Sequence, residues 1–169
     1  MNTEYAVRDA REEELDTLLT LYRSYYRELK GYGINYELDE AQLPDVLRAR
    51  MKSRLLLAAV AEGEDGRLVG FAFCAISRLG REHRCRGKNS VGFLQELYVV
   101  PEARRLGLAS RLADYARDWL RGNDITTLSL EVLCGNPAGL AFWKRQGLVP
   151  VATICQQNLD EGDHPWKRM

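Results

Sequence analysis

The chain has no excess of either charge. Its 24 Lys and Arg balance 24 Asp and Glu across 169 residues, so it lacks the overall basic field that a nucleic-acid binder uses. Long apolar runs are also absent: the longest nearly unbroken one, Val69–Ile76, is far too short to span a bilayer. The opening residues lack the basic-then-apolar pattern of a secretion signal. Cys74, Cys85, Cys134 and Cys155 form no Cys-x-x-Cys pair and fall mainly in apolar, strand-like contexts, so buried, reduced thiols are expected. His83 lies near Cys85 but far from His164, too dispersed for a metal site. No repeat, low-complexity tract or linker divides the chain. These absences point to one cytoplasmic globular domain over residues 1–169, with no metal, no nucleic acid and no membrane among its partners.

The hydrophobic pattern alternates between strand and helix. Tyr5–Arg8 reads as a short strand. Asp9 reads as the cap of a first helix, with Glu12 at the capping-box position and Leu15, Leu18, Leu19, Tyr22, Tyr26 and Leu29 at helical spacing up to Gly31. A second helix fits Asp39–Lys52, where Pro44 implies either a late start or a bend. Leu55–Ala61 and Leu68–Ser77 read as strands joined by a turn at Glu64, Asp65 and Gly66, and Val91–Val100 as a third. A helix with Leu108, Leu112, Tyr115, Ala116 and Trp119 on one face is expected to stop at Gly122. Ile125–Leu133, a helix from Asn136 and a last strand near Val149–Gln156 complete the order.

Between the third strand and its helix lies a turn built for phosphate. The first turn of a helix has backbone N–H groups without intrahelical partners, and the helix dipole adds partial positive charge. Gly107 and Ala109 let an anion approach that backbone, and Arg104 and Arg105 supply charged donors. The run Arg104, Arg105, Leu106, Gly107, Leu108, Ala109 resembles the Arg/Gln-x-x-Gly-x-Gly/Ala segment that binds acetyl-CoA in the GNAT family of N-acetyltransferases. The stretch Leu128–Leu148 is similar to the downstream motif of that family: a strand, an asparagine, then a helix ending in aromatic-x-x-x-Gly. Asn136 suits an N-cap, Pro137 the first helical position, and Gly147 a left-handed helix end.

The resemblance covers about Tyr5–Gln156 and implies an α/β (α+β) GNAT fold, a mixed, mostly antiparallel sheet with helices on both faces. It implies acetyl-CoA as cosubstrate, held by Leu97, Tyr98, Val99, Arg104, Arg105, Leu106, Gly107, Leu108, Ala109, Ser110, Asn136 and Phe142. It further implies direct transfer of the acetyl group to an amine in a ternary complex. An alkylammonium loses its proton near a pKa of about 10, so the reaction needs a base. Two carboxylates are candidates. Glu131 stands where similar bacterial ribosomal-protein N-terminal acetyltransferases have a glutamate before the asparagine. Glu96, preceded by Gln95, stands where similar diamine acetyltransferases carry Glu-Asp. Each also has a structural reading, as a carboxylate bonded to backbone or arginine.

Trp143 departs from the family, which usually has a tyrosine there to protonate or hydrogen-bond the departing thiolate. Indole N–H donates a hydrogen bond but is no useful acid. A thiol pKa of about 8.5 makes the thiolate a tolerable leaving group regardless; Tyr98, Tyr115 and Cys134 are candidates to substitute for the tyrosine, though core packing suits them too. The segment Gly31–Glu40, with Glu37, Asp39 and Glu40 among aromatics, reads either as an acidic mouth for a cationic amine or as a polar, capping loop. Arg78–Lys88 reads as a basic hairpin tip, either solvated or facing an acidic partner. The function expected is acetyl transfer to a small-molecule primary amine. A protein or peptide N-acetyltransferase and a non-catalytic acyl-CoA-binding module are the alternatives, and a homodimer is compatible with each.

Overall fold

The structure, a computed structural model describing residues 5–157, divides into two compact units, residues 1–137 and 138–169. His164 lies outside the described residues. The first unit holds a five-stranded sheet in the order β1 (Tyr5–Asp9), β2 (Leu56–Gly63), β3 (Leu68–Arg78), β4 (Ser90–Val99) and β5 (Leu128–Leu130). Neighbours from β1 to β4 pair antiparallel, and β4 pairs with β5 in parallel. The mixed, mostly antiparallel sheet is therefore as expected.

Helices α1 (Leu15–Gly31) and α2 (Leu43–Lys52) pack on one face and α3 (Leu108–Gly122) on the other. Alternation along β3 shows why: Phe71 and Phe73 meet the ring of Tyr22 from α1, while a Cβ on Gly70 would touch Leu112 of α3. Phe71, Leu112 and Leu18 are almost fully enclosed, each side chain contributing about 1.5–3 kcal/mol by leaving water. No helix among the described residues is long and apolar enough to cross a membrane.

Several boundaries differ from expectation, each for a local reason. Asp9 ends β1 and accepts a hydrogen bond from the Tyr115 hydroxyl at 3.0 Å, so it does not cap the first helix. The chain enters α1 through a short 3₁₀ turn, Glu12–Glu14, and the carboxylate that bonds back to the Arg11 N–H, at 2.8 Å, is Glu14 rather than Glu12. At α2, Pro44 gives a late start without a bend, and Asp39 accepts from the N–H groups of Ala41 and Gln42 ahead of it. Gly122 is still helical. The left-handed residue that stops α3 is Asp124, with Ile125 N–H bonded to the Leu120 carbonyl and Asp124 N–H to that of Arg121.

Cys74 alone of the four cysteines is buried, its thiol pushed up to about 12 by burial. Cys85 is half-buried and Cys134 and Cys155 are exposed, so the expectation of buried thiols fails for three of them. In the second unit, α4 (Pro137–Arg145) starts at Pro137 as expected. Gly147 closes it at φ 85, with Leu148 N–H bonded to the Trp143 carbonyl. Residues 149–156 form no strand; Val149, Val151 and Ile154 stand exposed without a ladder partner to bury them.

Arg8 of β1 bonds Glu62 of β2 at 2.8 Å and Glu14 at the entrance to α1. Hydrogen bonds from Arg8, working against burial, hold the Glu14 carboxyl below its ordinary range. Its contribution to stability is therefore complete above the unfolded pKa of about 4.3, and is lost as pH falls through the lower folded value. Glu14→Gln should flatten that part of the acid limb in denaturant titrations between about pH 6 and pH 3. An unchanged slope in the variant would show that the pair contributes nothing there.

Candidate active site

The site begins with a wedge in the sheet. β5 pairs with β4 only over Gly92↔Leu128, Phe93↔Ser129 and Leu94↔Leu130. Beyond Leu94, β4 continues to Val99 with no strand on that side among the described residues. The register of β3 on β4 shifts between Phe73 and Cys74, opposite Leu94 and Glu96, which leaves Gln95 as the extra residue of a bulge.

The bulge decides which backbone groups face the wedge. Val100 N–H donates to the Val69 carbonyl at 2.9 Å, and the pairs Phe71↔Tyr98 and Phe73↔Glu96 follow from it in register. Bonded pairs alternate along an antiparallel ladder, so Tyr98 and Glu96 bond β3 while Leu97 and Val99 turn their N–H and C=O groups toward the wedge. Before the bulge the parity is opposite: Gly92 N–H reaches across to the Thr127 carbonyl at 2.8 Å. Of Leu97, Tyr98 and Val99, the first and last thus turn their backbone N–H groups to the wedge, and Tyr98 turns its own to β3.

The turn after β4 is a cradle. A 3₁₀ turn, Pro101–Ala103, leads through Arg104 and Arg105, and Gly107 caps α3 at φ 77. A Cβ built on Gly107 meets nothing within 4 Å, so the space before the helix start is open. Gly107, as the N-cap, supplies no side-chain cap, and a helix start of this kind favours an anion. Arg105 is exposed at φ 63 and Leu106 is exposed beside it.

Arg104 is occupied. Its Nε donates to the Val99 carbonyl at 2.8 Å, its Nη2 to Glu28 of α1 at 2.6 Å, and its guanidinium lies 5.7 Å from the centre of the Tyr98 ring. In this arrangement its side chain ties the turn to β4 and α1.

Glu96 is enclosed on the α1–α2 face. Its Oε1 accepts from the Tyr22 hydroxyl at 2.9 Å and from Arg50 Nη1 at 3.0 Å, and its Oε2 accepts from the same Nη1 at 3.1 Å. Burial, and next the Glu96 charge, push the Tyr22 hydroxyl well above its ordinary pKa. Burial draws Arg50 down, but the Glu96 carboxylate more than offsets it and holds the guanidinium above its ordinary value. Burial likewise raises Tyr25, whose ring packs on Tyr22, Phe71 and Tyr98. Nothing in the sequence marked Tyr22, Arg50 and Glu96 as a unit, because they come from three elements and follow no common spacing.

Glu131 is exposed immediately after β5, one residue past the last rung of the ladder. Among the described residues, no arginine or backbone donor holds its carboxylate. Asn136 N–H bonds the Leu133 carbonyl at 2.9 Å in the turn leading to α4. In the second unit, Phe142 and Trp143 stack edge to face with centroids 4.8 Å apart, both half-buried.

The acids of the loop after α1 are mostly committed. Asp39 leads into α2, Glu40 bonds Arg23 at 2.9 Å, and Glu37 is exposed. This loop passes so close to the β5–α4 turn that a Cβ on Gly135 would come within 2.3 Å of the Tyr32 carbonyl. The basic segment is a small hairpin of its own, with Cys85 and Lys88 bonded across a two-residue turn at Arg86 and Gly87. Lys88 is anchored to Asp124.

The chain is similar to known proteins over the span that holds this geometry. The family model described as "Acetyltransferase (GNAT) family" matches residues 15–148. An aminoglycoside N(6')-acetyltransferase type 1 from Klebsiella aerogenes is 30% identical over 115 residues, 68% of this chain and 73% of that protein. The solved structure of the aminoglycoside N-acetyltransferase AAC(6')-Iy in complex with CoA superposes with a TM-score of 0.76 at 17% identity, covering 94% of this chain and 96% of that one. A predicted acetyltransferase with acetyl-CoA from Clostridium acetobutylicum gives 0.76 at 20% identity, covering 95% and 100%. The matched span takes in β4, the cradle, α3 and β5 alike, and on it the chain belongs to the acetyltransferase (GNAT) family.

Proposed function

We propose that this chain moves the acetyl group of acetyl-CoA directly to the primary amine of a small molecule, with both substrates bound together on one catalytic domain. The observation that carries the reading is the wedge: Leu97 and Val99 turn backbone donors into a gap that β5 leaves open, next to a helix start with open space before it. The pyrophosphate sits on the turn from Arg104 to Ser110, where the start of α3 and its helix dipole favour an anion. The Leu97 N–H holds the thioester oxygen, and binds it more strongly as negative charge develops. The small-molecule acceptor is favoured by the aminoglycoside acetyltransferase that matches at 30% identity.

In the reaction the amine nitrogen bonds the carbonyl carbon, the C–S bond breaks, and the sulfur leaves as thiolate. The amine proton passes through water to Glu131, which is exposed beside the wedge. Glu96 is held by Tyr22 and Arg50, which suits it to holding α1 and α2 against β4. A thiolate leaves without an acid because its pKa is only about 8.5, so Trp143 is compatible with turnover.

The test is free-thiol release from acetyl-CoA with a panel of amines and N-terminal peptides, with acetylated products read by mass spectrometry. Equal amounts of thiol and acetylated small amine are expected; acetylation of peptides alone would move the chain to the protein-directed class. Trp143→Tyr in the same assay should keep or raise turnover, because a phenol donates a proton and fits the space of an indole. A folded, cofactor-binding Trp143→Tyr protein that is inactive while wild type turns over well would contradict this account of the residue.

A further inference from the structure

We propose that Arg50 forms a carboxylate subsite, so that the amine acetylated by this chain carries a carboxylate close to its nitrogen; the inference rests on the acetyltransferase reading above. Arg50 stands in the last turn of α2 with its guanidinium 5.5 Å from the centre of the Phe73 ring. It meets Glu96 through one nitrogen only, Nη1 donating to both carboxylate oxygens. The other edge of the fork, Nε and Nη2, donates to no carboxylate or carbonyl among the described residues, and the Tyr22 hydroxyl also interacts with the guanidinium. The Arg50 side chain is only 21% exposed, yet these nitrogens are not sealed, since the Tyr26 hydroxyl is the sole unpartnered polar atom enclosed completely among the described residues.

A planar, half-buried guanidinium with a free two-donor edge suits a carboxylate bound through both oxygens. The partner supplies the complement: Glu96 Oε2 accepts one bond and keeps a lone pair for an ammonium. Glu96 directly precedes Leu97, whose N–H faces the wedge, so the pair hangs from the strand proposed to hold the thioester. A purely cationic polyamine gains nothing from Arg50 and is repelled by it. A zwitterion meets both charges.

The experiment compares amino acids with their decarboxylated amines, lysine with 1,5-diaminopentane and phenylalanine with 2-phenylethylamine, under one pH with rates expressed per free amine. Wild type should favour the carboxylate member by about tenfold or more in kcat/KM. In Arg50→Lys, which keeps a cation for Glu96 but loses the fork, that ratio should fall toward about one. Equal or better rates for the decarboxylated members in wild type overturn the subsite and leave the acetyltransferase reading intact; so does an unchanged ratio in Arg50→Lys. Absence of transfer to any member by a folded protein that binds acetyl-CoA overturns both. The wild-type ratio decides by itself if the variant does not fold.

Discussion

Gly107→Glu is expected to weaken acetyl-CoA binding by at least about a hundredfold, a loss of roughly 2.7 kcal/mol. Three effects combine. The position has φ 77, where an L side chain costs about 1–2 kcal/mol. The new side chain projects into space that nothing in the protein fills, which is where the pyrophosphate is proposed to lie. Its carboxylate then opposes the phosphate charge at a helix start that favours anions. Gly107→Ala separates these effects, since it keeps the backbone cost and adds neither bulk nor charge; most of the affinity should survive. Calorimetry on both variants, with circular dichroism to confirm folding, measures the difference. Wild-type affinity in folded Gly107→Glu would remove the phosphate from this turn.

Glu131→Gln is expected to lower turnover by about a hundredfold or more while acetyl-CoA affinity stays nearly unchanged, because an amide cannot take the proton. The loss should shrink as pH rises and more of the amine is already neutral. Glu96→Gln should behave differently. It leaves Arg50, a half-buried cation, without its counter-charge, so lower folding stability accompanies any change in rate. If Glu96→Gln folds at wild-type stability and alone loses kcat at saturating amine, rather than only raising KM, the base is Glu96 and the structural role assigned to it is wrong.

These two carboxylates show where the sequence was legible. Glu131 is a candidate because it sits in a recognisable strand-to-asparagine stretch, and the turn before α3 is one because Gly107 interrupts an apolar pattern that changes period from strand to helix. Both are local signals. The tie of Tyr22, Arg50 and Glu96 is not local, and neither is the occupation of Arg104 by Glu28 and the Val99 carbonyl. Pattern also overstated the last strands. Ile125–Leu133 is apolar enough for a long strand, but only Leu128–Leu130 pairs, because the bulge at Gln95 reverses the parity of β4 and β5 departs there. Val149 and Val151 alternate as a strand should, yet no strand among the described residues pairs with them. Alternation records which side chains want cover; pairing depends on whether an edge is available.

The most direct test of the account is a single turnover with acetyl-CoA labelled in its acetyl carbonyl, enzyme in excess, and an amine that serves as acceptor. After quenching, the account predicts that the label lies in the N-acetyl product, with one free CoA thiol for each product and none of the label on the protein. Label bound covalently to the protein before the amine is added, or thiol released without acetylated amine, would contradict direct transfer across the wedge between β4 and β5.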